Sequence, residues 1–342
     1  NMAQDFVGSN NINLLLPNGQ FGSREEGGSD HASARYINTQ LNPIALKLFP
    51  QNDLNILLYQ YDDGKKVEPT YLIPVIPMIL VNGTKGIGTG YSTDIPPFNP
   101  DDIIANIKRW LNNDELLDIN PWFKGFKGKI VKESNNKFTT YGIYKKSYKA
   151  DTTIVEVTEL PINTKTSSFR DLLHKLMASK LVKTFDIHTK NDCPHFTIVF
   201  TSKLSDNDII TQLKLKSSVS TANMHAFFDN KIKYYSNVNE IIQDFCKLSM
   251  SRYKMRKDYN LKQLEAKIKS LDVEIKYIEC VVNDIIVVFK RDEEDIVKDI
   301  NRHIRLGDYP ISNLLNMPVS RFNNNKISLL KNQYDNITTE LE

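Results

Sequence analysis

Cysteine is scarce, and what there is does not pair. The chain's three cysteines, Cys193, Cys246 and Cys280, are far apart and show no CxxC spacing. They support neither a zinc site nor a disulfide framework, and a reducing compartment suits such a chain. No run of about 18 apolar residues occurs, so no membrane-spanning helix is encoded, and no signal peptide is visible. Net charge is small too, +3 over 342 residues, so bulk charge alone gives no case for an anionic partner. The histidines (His31, His174, His188, His195, His225 and His303) are scattered without metal-ligand spacing. A nucleotide loop is also missing. The glycine-rich run Gly86-Ile87-Gly88-Thr89-Gly90 lacks GxGxxG spacing, and no lysine followed by serine or threonine comes after its last glycine. Taken alone, that run is a tight turn.

What is present is globular. The apolar fraction is 40%, and the length suffices for two or three domains with real cores. Basic residues gather from Lys124 to Lys132 and again at Lys145, Lys146 and Lys149; such clusters are either solvated faces or nucleic-acid contacts. The abundance of Asn, Lys and Ile points to an AT-rich genome. The first residue falls inside a patterned segment, as expected of a piece of a longer chain or of one member of a multi-chain enzyme.

Three stretches follow one another. Residues 1–73 mix turn-rich loops with short helical pieces; Asp30 is placed to cap a helix over Ala32–Leu41 that presents Tyr36 near its middle. From Tyr71 to Val81 the chain is apolar, β-branched and interrupted by prolines, which predicts extended segments. Residues 74–236 alternate helix candidates (Asp101–Leu111, Thr166–Met177, Asp206–Leu213) with strand candidates (Lys129–Val131, Thr139–Tyr144, Thr153–Val157, Phe196–Phe200). That alternation predicts an α+β domain with antiparallel pairing. In residues 237–342, Leu261, Leu264, Ile268, Leu271, Ile275, Ile278 and Val282 are spaced 3, 4, 3, 4, 3, 4, a heptad seam. The helix carrying it should run from about Val238 to about Phe289, roughly 75 Å at 1.5 Å per residue. A second pattern at Ile327, Leu330, Tyr334, Ile337 and Leu341 follows a polar connection over Arg291–Asp308, so the two helices should fold back as an antiparallel pair. A long helix in an ordinary bundle fits the same periodicity.

An arginine–tyrosine pair on a helix is by itself a packing feature. The surroundings of Arg35-Tyr36 are more telling. Upstream come Phe6-Val7-Gly8-Ser9-Asn10-Asn11-Ile12-Asn13, Leu16-Pro17-Asn18-Gly19-Gln20-Phe21-Gly22-Ser23-Arg24 and Gly27-Gly28. Downstream comes Pro77 through Gly90. This ordered set resembles the type IIA DNA topoisomerases of eukaryotic type. The resemblance continues at Ile95-Pro96-Pro97-Phe98-Asn99-Pro100, Pro121-Trp122-Phe123, Thr158-Glu159-Leu160-Pro161, Lys233-Tyr234-Tyr235-Ser236-Asn237 and Tyr309–Met317. It departs from the usual pattern at Ser29, where the family often has lysine, and at Tyr91, where it often has tryptophan.

The resemblance implies transient double-strand breakage in which a tyrosine oxygen attacks a backbone phosphate, leaving a 5′-phosphotyrosine and a free 3′-hydroxyl. It makes Tyr36 the nucleophile and Arg35 the cation that steadies the phosphate oxygens. A phenol, with an ordinary pKa of about 10, needs such help near neutral pH. It makes Ile87 an apolar wedge pushed between base pairs, and Arg24, Lys85 and Gln20 the nearby DNA contacts. The implied fold is an α+β multidomain one: the C-terminal part of a winged-helix-like DNA-cleavage domain (1–73), a tower or shoulder domain (74–236), and a coiled-coil arm with the exit gate (237–342). The implied partners are double-stranded DNA and a second copy of the chain, joined through the arm. The family's Mg2+ and ATP would be bound elsewhere, by metal-binding (Toprim) and ATPase domains, because no EGDSA-type acidic segment occurs here. Asp206-Asn207-Asp208 has DxD spacing but opens a helix, where capping is the better account. The expected location is the nucleus, or a viral factory or virion if the source is a large DNA virus. Two other readings stay open: a non-catalytic DNA-bending or coiled-coil scaffold protein, and a protein of the gyrase A type.

Overall fold

The computed structural model describes residues 1–189 and 193–342. They form two compact units, Asn1–Met250 and Ser251–Glu342.

The first unit opens with loops tied into a ladder. Isolated bridges join Leu15 to Leu41 and Asn18 to Asn38, and the excursion between them carries one 3-10 turn, Ala34–Tyr36. The helix expected over Ala32–Leu41 is therefore replaced. Asp30, its expected cap, is spent on Ser23 and Gln20, and Ile37 is already extended on its way into the ladder. Helix α1 (Pro43–Leu48) starts where Asn42 caps it and Pro43 fixes the first turn. Strands β1 (Tyr59–Asp62) and β2 (Lys65–Pro69) pair as a hairpin across Asp63-Gly64, both at positive φ, as a tight two-residue turn needs.

The apolar segment after Tyr71 was expected to be extended to Val81. Its last four residues instead coil into α2 (Met78–Val81) behind Pro77, which sinks Leu80 and Val81 into a core with Ile95, Phe98, Ile103, Met224 and Tyr235. Strands β3 (Thr84–Gly88) and β4 (Tyr91–Ile95) form the next hairpin. Helix α3 (Pro100–Leu111) follows, capped by Asn99.

Every pairing among the described strands is antiparallel, as the sequence led us to expect. Strands β5 (Lys129–Ser134) and β6 (Lys137–Tyr141) join β11 (Lys216–Ser220) in a three-stranded sheet. Strands β7 (Ile143–Lys149), β8 (Thr152–Glu159), β9 (Val182–Ile187) and β10 (Phe196–Phe200) form a four-stranded sheet in the order β7-β8-β10-β9. The segment expected to be a single strand from Thr139 to Tyr144 thus divides at Gly142 between two sheets. Alternate residues of β8 are buried, the pattern of a sheet with one covered face. Helices α4 (Thr166–Ala178) and α5 (Asp206–Gln212) cover it, with Phe169, Leu173 and Ile209 meeting Val155, Val157, Phe196 and Ile198. A last hairpin, β12 (Met224–Phe228) with β13 (Lys231–Tyr235), completes the unit.

Helix α6 (Val238–Val282) has 45 residues. Its first turns put Val238, Ile241, Ile242 and Cys246 into the core shared with α2 and α3; burial pushes the Cys246 thiol up to about 11. In the second unit, Leu271, Ile275 and Ile278 of the heptad seam are buried and Leu264, Ile268 and Val282 pack beside them; Leu261 lies outside that core. Helix α6 stops short of the expected Phe289, because Asp284 is in the left-handed region and Ile286 turns back into the core, fully buried. Helix α7 (Glu293–His303) occupies what looked like a polar connection, and α8 (Ile311–Leu315) follows it. Helix α9 (Asn324–Leu341) shares the core of α6 through Leu330 and Ile337, and Lys331 pairs with Glu279 at 2.7 Å.

Candidate functional site

Tyr36 stands out by exposure, 73% of its surface being open to solvent. It ends the 3-10 turn, where its N–H donates to the Ser33 carbonyl at 2.9 Å. Beside it the Arg35 guanidinium lies 6.0 Å from the centre of the phenol ring. No residue of the turn is buried, so its position is set from below. The Asp30 carboxylate accepts from the Ser23 N–H at 2.8 Å, the Ser23 hydroxyl at 2.6 Å and the Gln20 amide at 3.0 Å. The Ala32 N–H donates to the Gln20 carbonyl at 2.9 Å. Partial burial of Asp30 would raise its pKa; the hydrogen bonds from Ser23 outweigh that and hold the carboxyl below the usual range. Gly22 has a positive φ, and a Cβ there would meet the Gly28 Cα at 2.6 Å. Only glycine lets the two strands of this loop close so tightly.

Ile87 is the other outlier, 92% exposed near the tip of the β3–β4 hairpin, opposite Ser92. The turn at Thr89-Gly90 relies on the positive φ of Gly90. An isoleucine this open has no packing role in the unit that carries it. Lys85 sits lower on the same ribbon, paired with Asp94 across the strands at 3.0 Å, and both are exposed.

The two features are tied to one scaffold. The Asn82 side chain, just before β3, exchanges two hydrogen bonds with the Ile12 backbone at 2.9 and 2.8 Å. Two residues on, the Leu14 carbonyl accepts from the Asn42 N–H at 2.9 Å, and the Asn42 amide reaches the Asn13 carbonyl. Asn11, 4% exposed, donates to the carbonyls of Val81, Phe98 and Trp122 and accepts from the Lys124 N–H. Residues 11–15 thus link the base of the Ile87 hairpin to the base of the Tyr36 loop. In the sequence Asn11 and Asn82 stand inside the matched motifs without an assigned role, and Asn42 stands outside them. Their signal was an amide beside apolar residues, which when buried must be bonded.

Arg24 is placed otherwise than expected. It is 5% exposed, and its guanidinium donates to Glu159 at 2.5 Å and to the Leu160 carbonyl at 3.0 Å. Held there, it has no open face for a phosphate. Arg170 pairs with Glu25 beside it, and Lys127 N–H binds the second Glu159 oxygen. Of the residues singled out from sequence, Arg35 and Tyr36 are therefore adjacent and open, Gln20 braces their loop, Ile87 and Lys85 share the hairpin, and Arg24 is an internal tie.

The residues do not fit a divalent cation. Among the described residues no group of three or more His, Cys, Asp or Glu could hold one. The DxD pair is otherwise employed. Ser205 caps α5 in a reciprocal box with Asp208, and Asp206 accepts from Lys146 and from the Tyr144 hydroxyl, both at 2.7 Å. Partial burial and the Asp206 carboxylate push Tyr144 up to about 12.

The family model for the A subunit of DNA gyrase/topoisomerase IV matches residues 1–342. A DNA topoisomerase 2 of Arabidopsis thaliana is 40% identical over 316 residues, covering 88% of this chain and 21% of its own length. That of Plasmodium falciparum is 40% identical over 311 residues, covering 88% and 22%. A mitochondrial DNA topoisomerase 2 of Dictyostelium discoideum is 36% identical, covering 99% and 27%. The chain thus spans about a fifth to a quarter of these relatives' length. The solved DNA-binding, cleavage and re-ligation domain of Plasmodium falciparum topoisomerase II superposes with a TM-score of 0.87 at 35% identity, over 99% of this chain and 51% of that one.

Proposed function

The chain belongs to the family of DNA gyrase/topoisomerase IV A subunits, and from that premise we propose that it is the DNA-breaking and rejoining region of a type II topoisomerase of eukaryotic type. The observation that carries this reading is the open Arg35-Tyr36 pair on a loop braced from beneath. The Tyr36 oxygen attacks a backbone phosphorus as the bond to the 3′ oxygen breaks. The phenol gives up its proton and the 3′ oxygen ends as a hydroxyl, so no oxidant or net proton change is needed. Phosphotyrosine remains a phosphodiester, and the reverse attack reseals the strand. Arg35 spreads its two-pronged charge over the non-bridging oxygens, a task suited to a permanently charged fork. Ile87 enters between base pairs and holds the duplex bent; unstacking costs a few kcal/mol, offset by contact with the bent DNA. Lys85 meets a phosphate by giving up Asp94, a small loss because an exposed ion pair is worth about 0–1 kcal/mol. Gln20 meets the DNA from the rim of the Tyr36 loop, and Arg24 acts from below as a tie.

The same reading keeps the functional divisions 1–73, 74–236 and 237–342. It assigns dimer formation to the last of these. The duplex is the substrate, and a second duplex passes through the break. In the whole enzyme Mg2+ and ATP would serve cleavage and gate movement from parts outside these residues. The chain works wherever its DNA lies, the nucleus first and a DNA-bearing organelle second. A scaffold role is disfavoured by relatives at 36–40% identity that are named DNA topoisomerase 2. The test is a denaturing trap for covalent protein–DNA adducts, with a metal-binding domain supplied. The parent chain gives a 5′-linked adduct and Tyr36→Phe gives none while still binding DNA. Adducts from Tyr36→Phe would overturn the assignment.

A further inference from the structure

An isolated two-stranded ribbon is marginally stable in water, yet a wedge must push against stacked bases without folding aside. The β3–β4 ribbon is not isolated. The Asp94 N–H donates to the Asn223 carbonyl at 2.8 Å, a bridge that sets β4 beside β12. The Asn223 amide donates to the Ser92 hydroxyl at 2.9 Å, and Ser92 is the cross-strand partner of Ile87. At the centre of this junction lies His225. Its backbone N–H donates to the Thr93 hydroxyl at 3.2 Å, and its side-chain Nδ1 sits 2.9 Å from the Asn223 side-chain oxygen. That oxygen can only accept, so Nδ1 carries the proton. The imidazole also meets two aromatic rings, Tyr91 at 6.0 Å and Tyr234 at 5.2 Å between centres. Tyr91 begins the strand that leaves the wedge turn, and Tyr234 belongs to the far strand of the second hairpin.

We propose that His225 is a positioning residue for DNA bending: it locks the β12–β13 hairpin against β4, so that the two ribbons act as one four-stranded brace behind Ile87. This rests on the reading of Ile87 as the wedge. His225 reaches no DNA itself in this account; it works through Asn223, Ser92 and Tyr91. Parity along the strands supports it. Ile87, Ser92 and Asp94 share one face, and the Asp94–Asn223 bridge continues that face into Asn223 and His225. A push on Ile87 is thereby passed across β4 into the second hairpin, whose Met224 and Tyr235 are anchored in the core.

The test reads bend angle by energy transfer on an end-labelled duplex bound to the 342-residue chain, with affinity measured in parallel. His225→Ala should lower the bent fraction by roughly fivefold or more, what loss of one ordinary hydrogen bond yields, with affinity for straight DNA unchanged. Ser92→Ala, an exposed change that removes only the Asn223 link, should act in the same direction and keeps the test sound if His225→Ala folds poorly. His225→Phe, which retains both ring contacts, should recover part of the bend. With the metal-binding domain added, a nicked duplex should restore cleavage to His225→Ala, which a general folding defect would not allow. If Ile87→Ala bends DNA like the parent, or the parent leaves it straight, the wedge reading falls and the brace with it. If Ile87→Ala loses the bend while His225→Ala and Ser92→Ala keep it, the wedge stands and the brace is overturned.

Discussion

Asp30 shows how a single carboxylate changes the local fold. From the sequence it caps a helix; in the structure it faces the other way and ties Ser23 and Gln20 together beneath Tyr36. Its folded pKa is depressed, so the stability it contributes is present above the unfolded value near 3.8 and is lost as pH falls through the folded value. Limited proteolysis across pH should show the segment from Gln20 to Tyr36 opening first in acid, and Asp30→Ala should open it already at neutral pH. Equal protection in parent and variant would remove Asp30 from this role. Arg35 makes a different prediction. Arg35→Ala should slow both cleavage and religation by about a hundredfold or more, the scale of losing one positioned donor at a charged transition state. Arg35→Lys should recover only part, since it lacks the bidentate fork. Rates measured in both directions decide it, and an unchanged religation rate would leave Arg35 a mere surface cation. Tyr36, Arg35 and Ile87 could be singled out because their neighbours in sequence carry the motif, and the structure leaves Tyr36 and Ile87 open to solvent. Arg24 was not, because the Glu159 that engages it lies 135 residues away, and nothing local distinguishes a buried arginine from an open one.

At the scale of elements, legibility followed periodicity. Helices α3, α4 and α5 emerged close to their observed bounds, and the α6 seam was plain. Helix α7 was passed over because its core contact rests on Ile296 and Ile300 amid acidic and basic residues. Its acidic first turn and its Arg302-His303 end were the available signals. Ile300 is fully buried, so Ile300→Ala should cost about 2–5 kcal/mol, read as a lowered denaturation midpoint of the whole chain. The β3–β4 hairpin was read as a turn and, by resemblance, as a wedge, but its union with β12 spans more than a hundred residues and leaves no local trace. Ile87→Ala should bend DNA less and cleave less while keeping its affinity for straight duplex, which depends on phosphate contacts. A displacement of about 1 Å at the scissile phosphate can cost on the order of a hundredfold in rate, and a prenicked duplex should return it. Undiminished bending by Ile87→Ala would reduce the hairpin to a plain turn.

For the whole molecule, the question is which parts of the reaction this chain can perform alone. On the proposed reading it carries Tyr36 as nucleophile, Arg35 as the cation beside it and Ile87 as wedge, all tied to a common scaffold of residues 11–15. Its DxD carboxylates are taken up by Lys146, Tyr144 and the Ser205 cap, and no other described cluster could hold a cation. Cleavage needs charge on the departing 3′ oxygen as well as on the non-bridging oxygens, and a phenol displacing an alkoxide without it faces the worse leaving group. Arg35 can meet only part of that demand. The purified chain should therefore bind duplex DNA with steep salt dependence, since a net charge of +3 leaves affinity to local lysine clusters. It should form no covalent adduct with Mg2+, with or without ATP. Adding a metal-binding domain should produce the adduct at Tyr36 without tightening DNA binding to the same degree, because a bound ion would supply charge to the reaction rather than affinity for the duplex. Metal-dependent adduct from the chain alone would show that its own carboxylates rearrange to hold the ion, with Asp206 and Asp208 the first to replace and test.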